Sequence, residues 1–223
     1  MIENFLNILN ISNIFIIALS VESIVLHEMA HGYVALLFGD RTAKHRGRLT
    51  LNPIPHIDPM MTVIVPIAAF ILSKGTFIIG GAKPVPVNPY NYRRPVMGDI
   101  CVSIAGVAVN LLIAVVMIML LNVVLLIFGS TQENPAVKVL AKVAMLNIVL
   151  AMFNLIPIPP LDGSHIFKYL LPQELKRSYE NLGRTGVGFI ILIISINIPI
   201  VRNIFYMALD WLWTFLLKTL IVF

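Results

Sequence analysis

His27, Glu28 and His31 stand together in the pentad His27-Glu28-Met29-Ala30-His31. On a helix, residues i and i+4 share one face, one turn apart. Two imidazoles at that spacing can ligate one Zn²⁺, and the glutamate between them projects to the adjacent side, near a metal-bound water. The competing reading is a pair of hydrogen-bonded helix histidines beside a snorkelling glutamate. Three ionisable groups inside an apolar segment are costly without a ligand, which favours the metal. A catalytic zinc takes three protein ligands and keeps a fourth position for water, so a third ligand must come from elsewhere. The candidates are Asp162, His165, His56, Asp58 and His45. Asp162 is the strongest, because it follows Asn154-Leu155-Ile156-Pro157-Ile158-Pro159-Pro160-Leu161, where three prolines stop a helix at the end of an apolar run. Non-helical backbone at membrane depth is tolerated only where it is buried or faces water, and a carboxylate on such a break can reach a helix-borne zinc. His165 competes for the role. His45 lies beside Arg46 and is expected to be solvated, whereas His56 and Asp58 suit either a turn or a separate metal site. Glu22 precedes His27 by five residues, off the ligand face, and is expected to be structural or water-contacting.

The elements that hold these residues follow from composition. Of 223 residues, 58% are hydrophobic and 12% charged, against roughly half and about a quarter in soluble domains. With a mean hydropathy of +0.90, a soluble globule is excluded, and so is disorder, which needs high charge and low hydrophobicity. What remains is an integral membrane protein, expected as one domain over 1–223 with a core at 5–170 and C-terminal helices at 187–223. The net charge of +5 fits lysines and arginines in cytoplasmic loops, and no nucleic-acid partner is expected. The single cysteine, Cys101, excludes an internal disulfide. The opening Met-Ile-Glu lacks the basic region of a cleavable signal peptide.

A first apolar segment runs from about Phe5 to Phe38, longer than one crossing requires. Residues 41–48 are basic, and Pro53, Pro55 and Pro59 forbid a long helix after them. Thr62–Leu72, broken by Pro66, suits either a broken span or a re-entrant piece, and Gly80–Pro95 reads as an extended loop or edge strand. Ile100–Phe128 carries no charge and is a transmembrane helix; Ala136–Ile156 is another. After a basic loop, 187–201 and 204–223 form a hairpin of spans, or one span and an interfacial helix. The sum is an all-α polytopic membrane protein of about five to six transmembrane helices, with Pro/Gly-rich re-entrant or β-like segments between the first and middle spans. Segments 41–48 and 156–186 carry lysine and arginine whereas 129–135 does not, which places the first two in the cytoplasm and the third outside. The 80–95 loop is basic as well, leaving the course of 62–79 open.

The HExxH pentad in an apolar helix, with Asn154–Gly163 downstream, resembles the site-2 protease family of intramembrane zinc metalloproteases. Gly47–Pro53 and Ala82–Pro89 look like its small prokaryotic branch, and the likeness covers roughly residues 20–170. The resemblance implies His27, His31 and Asp162 as ligands of one catalytic Zn²⁺ and Glu28 as the catalytic base. It also implies that Asn154 orients or stabilises the scissile carbonyl, and that the partners are the lipid bilayer and a membrane-protein substrate with a transmembrane helix. A multi-pass protein of a prokaryotic cell membrane is expected. The chain departs from the family at Val107, where members often carry proline ahead of an asparagine, here Asn110. That change is expected to straighten the helix locally, touches no implied ligand and leaves the turn without an expected role. The rival readings are a metal-binding membrane transporter, which repeat symmetry across the spans would favour, and a catalytically inactive membrane scaffold.

Overall fold

The computed structural model describes residues 10–64, 67, 68, 71, 80–129 and 134–221. Asparagine and proline set the helix starts. Asn10 accepts from the backbone N–H of Ser12 and caps α1 (Ile11–Leu37), and a four-residue helix, α2 (Thr42–His45), follows. Proline occupies the first turn of α3 (Pro95–Phe128), where its missing N–H costs nothing. Asn134 and Pro135 do both jobs for α4 (Pro135–Asn154). Beyond the proline break come α5 (Asp162–Phe167), α6 (Gln173–Arg184), α7 (Val187–Asn197) and α8 (Pro199–Leu220).

Helices α1, α3 and α4 pack against one another and form the core, with α5 lying against α3. Small residues line the contacts: Ala35 on α1, Ala114 on α3, and Ala144 and Ala151 on α4 are fully buried. Where lipid is as apolar as leucine, helices gain by close approach rather than by hiding large side chains. Accordingly Leu112, Met119 and Ile127 remain exposed on α3. A buried amide adds a polar link, because Asn147 on α4 donates to Ser23 Oγ on α1 at 3.0 Å.

Among the described residues, four helices (α1, α3, α4 and α8) are long and apolar enough to cross a membrane. A fifth crossing is reached only by counting α6 and α7 together, two helices that meet at 89°. The described residues include no strand, so the Gly80–Asn88 stretch is an irregular loop rather than an edge strand. The start of the first apolar segment before Asn10 and most of 62–79 lie outside the described residues. The ends of that latter excursion are nonetheless joined. Lys83 N–H donates to the His56 carbonyl at 2.8 Å, and Thr62 Oγ1 to the Gly81 carbonyl at 2.7 Å. The described residues on either side of that stretch are therefore held together, and the two successive basic loops lie on one side.

Asp40 ties those two loops together just beyond α1. Its carboxylate, 1% exposed, accepts from the Thr42 hydroxyl and backbone N–H, from Asn91 Nδ2 at 2.8 Å and from Asn88 N–H at 2.6 Å. Burial opposes its ionisation, yet these donors outweigh that cost and hold the carboxyl below its ordinary range.

Candidate metal centre

His27 and His31 lie one turn apart on the face of α1 that meets α3. Asp162 reaches them from the first residue of α5, which Leu161 starts in an extended conformation after the prolines. Gly163 is required beside it: a Cβ there would lie 2.2 Å from the Leu155 carbonyl oxygen. The Asp162 carboxylate can thus fold back under the end of α4 only because its neighbour has no side chain.

The three donors form a nearly equilateral triangle. Asp162 Oδ2 lies 3.3 Å from His27 Nε2 and 3.4 Å from His31 Nε2, and the two imidazole nitrogens are 3.0 Å apart. Bonds of about 2.0–2.1 Å to histidine nitrogen and carboxylate oxygen place two tetrahedral ligands roughly 3.3–3.4 Å apart. The triangle's edges therefore suit three ligand positions of a zinc tetrahedron. Asp162 Oδ2 is buried with no hydrogen-bond partner of its own, an arrangement that a cation satisfies. Among the described residues, His27, His31 and Asp162 are the group of this kind able to hold a metal ion.

Helix α3 orients both imidazoles. His31 Nδ1 lies 2.7 Å from the Val102 carbonyl; it must donate there, which leaves Nε2 with a free lone pair. His27 Nδ1 lies 3.1 Å from Asn110 Nδ2. The other end of that amide, Asn110 Oδ1, is buried and unpaired. Rotating the amide by half a turn lets Oδ1 accept from His27 Nδ1–H and frees Nε2 for a metal. Between these contacts lies Gly106, where a Cβ would come within 2.5 Å of His27 Cε1 and 2.6 Å of His31 Nε2. The turn around Val107, left without a role by the sequence, therefore packs directly on the histidine pair, and Asn110 and Gly106 are the residues that sequence reasoning missed. The signal was an amide, Asn110, in the uncharged, largely apolar Ile100–Phe128 run, one turn after a glycine.

Glu28, between the histidines, accepts from the backbone N–H of Val85 at 2.7 Å. The Gly80–Asn88 loop thus lies over the helix beside the triangle, and Arg48 reinforces it by donating to the Lys83 carbonyl at 2.7 Å. Asn154 turns its amide back onto its own helix, donating to the Leu150 carbonyl at 3.0 Å. The other candidates fall away from the triangle. His165 Nδ1 lies 3.3 Å from Asp99 Oδ1. His56 is buried in the turn it helps to build, with Nε2 3.1 Å from the Thr50 carbonyl. Asp58 accepts from Met60 N–H at 2.9 Å, and His45 is exposed, as expected. Glu22 is half-buried on α1 and is not part of the donor set.

The model of peptidase family M50 matches residues 14–195. The chain belongs to peptidase family M50, the site-2 proteases. It is 35% identical over 192 residues to "Putative zinc metalloprotease YwhC" of Bacillus subtilis, covering 83% of this chain and 81% of that one. "Putative zinc metalloprotease Rip2" of Mycolicibacterium smegmatis is 30% identical over 208 residues, covering 91% and 74%. "Zinc metalloprotease MJ0392" of Methanocaldococcus jannaschii is 26% identical over 186 residues, covering 80% of this chain and 43% of that protein. No solved structure matches significantly. The M50 chain is thus a zinc metalloprotease of a prokaryotic membrane, and the donor triangle supplies a site that its zinc fits.

Proposed function

We propose that this M50 protease is an intramembrane endopeptidase that hydrolyses peptide bonds in or near the transmembrane segments of other membrane proteins. The observation that carries this reading is the triangle of His27, His31 and Asp162, spaced as tetrahedral zinc ligands and set among long apolar helices. His27, His31 and Asp162 would hold the ion. When bound, zinc supplies Lewis acidity and acidifies a water to a pKa near 7. Glu28 is the base: Val85 N–H holds Oε2, and Oε1 takes the water's proton and passes it to the leaving amine. Asn154 stabilises the oxygen of the scissile carbonyl by exchanging its bond to Leu150 for one to substrate.

A substrate helix hides its carbonyls in its own hydrogen bonds and must unwind before it is cut. The irregular backbone at 84–89 and at 157–160 supports this, since it offers partners to an extended segment. Water must also arrive. A cleft of about 630 Å³, lined by Pro159, Pro160, Ser164 and His165 among others, opens beside the turn that carries Asp162.

The test is Glu28→Gln in the purified full-length protein, reconstituted with a transmembrane substrate. Zinc content should stay at about one ion per chain, as a single three-ligand site implies, while cleavage is lost. A Glu28→Gln protein that still cuts would sink the assigned mechanism, and cleavage confined to soluble peptides would sink the intramembrane reading.

A further inference from the structure

Asp99 is not one of the three donors, yet among the described residues it is one of the most heavily bonded carboxylates. It sits just inside the start of α3, 3% exposed. Tyr169 Oη donates to Oδ2 at 2.9 Å, the Lys168 ammonium pairs with the same oxygen, and His165 Nδ1 lies 3.3 Å from Oδ1. All three partners lie on α5 or immediately after it, the helix whose first residue is Asp162. A buried carboxylate bonded three ways fixes both the distance of α5 from α3 and its rotation about its own axis.

Asp99 also shares a face of α3 with the groups that orient the histidines. Residues 99, 102, 106 and 110 fall within one helical stripe. Along it, Val102 holds His31, Gly106 leaves room for both rings and Asn110 meets His27. The third ligand has no such direct partner on α3; its oxygen Oδ2 has no hydrogen bond at all.

We infer that Asp99 is the positioning residue for Asp162: by clamping His165, Lys168 and Tyr169 it sets α5 so that the Asp162 carboxylate completes the donor triangle. One stripe of α3 then orients all three ligands. The inference rests on the reading of His27, His31 and Asp162 as the zinc site.

A double-mutant cycle on the full-length protein in detergent tests it, with zinc affinity measured by competition against a chelator. Asp99→Asn should weaken zinc binding by about 10- to 100-fold, the usual cost of losing an orienting partner. It should add nothing in an Asp162→Asn background, because a clamp acts only through the ligand it positions. The visible spectrum of the Co²⁺-loaded protein should change in Asp99→Asn and not respond further in the double variant. Should Asp99→Asn misfold, Lys168→Met and Tyr169→Phe each remove one arm of the clamp, and both should show a smaller loss with the same dependence on Asp162. Zinc affinity within twofold of wild type in these variants overturns the inference, and so does an equal loss with and without Asp162. A wild-type chain that takes up no zinc overturns the metalloprotease site itself, which is a different outcome.

Discussion

At Gly106 the helix backbone lies against both histidine rings. Any side chain there meets both imidazoles at once, since even a Cβ falls 2.5–2.7 Å from three of their ring atoms. Overpacking a tight interior site costs about 1–3 kcal/mol, and here the strain is delivered to candidate metal ligands. Gly106→Ala should therefore lower zinc content and activity more than it lowers the unfolding temperature of the metal-free protein; equal losses in both would show that the methyl disturbs only packing. Asn110 makes a gentler probe. Asn110→Ala removes the partner of His27 Nδ1 and should weaken zinc retention by roughly 10- to 100-fold, measured by chelator competition, whereas a twofold change would deny it an orienting role. The two variants separate space from direction, because Gly106 contributes room and Asn110 contributes a hydrogen bond.

At the scale of elements, the connections beyond the helices set the geometry of the site. Asp40 joins the end of α1 to α2 and to the loop that runs back over Glu28. Asp40→Asn should cost about 1–3 kcal/mol, the range for hydrogen bonds to a buried charge. The sign of its pH dependence follows from the lowered folded-state pKa. The contribution is complete above the unfolded value of about 3.9, and it declines as pH falls below that toward the folded value. The gap in unfolding temperature between wild type and Asp40→Asn should therefore be constant from pH 5 to 7 and narrow in more acid buffers; a gap that widened in acid would contradict the assignment. Such ties explain what was legible in the sequence. HExxH is local, so a helix is enough to bring His27 and His31 together, and the prolines before Asp162 announce their own break. Gly106, Asn110 and Asp99 matter only through the register of α3 against α1 and α5, which no local spacing encodes. Val107 drew attention as a missing proline, while its neighbours carried the contacts.

For the whole molecule, hydrogen bonds place together two basic loops whose relation charge counting left open. Residues 41–48 and 80–94 are both basic, and an apolar stretch separates them, so the positive-inside bias alone allows that stretch to cross or to return. Arg93 N–H donates to the Phe38 carbonyl at 2.8 Å and Asn88 N–H to Asp40, so both loops lie at one end of the α1–α3–α4 bundle. The 156–186 loop lies there too, since Asp99 near the start of α3 binds Lys168 and Tyr169. Residues 129 and 134, at the far ends of α3 and α4, belong to the opposite face. Every lysine- or arginine-rich loop then shares one side of the bundle, the side that the positive-inside bias assigns to the cytoplasm. In a Cys101→Ser background, cysteines introduced at Lys44, Tyr90 and Arg184 should be labelled by a membrane-impermeant maleimide in inverted vesicles and protected in intact cells. A cysteine at Asn134 should show the reverse. Labelling of Lys44 and Tyr90 from opposite sides would mean that the chain crosses between them, and would break the link through Asp40 on which the placement of the Glu28 loop depends.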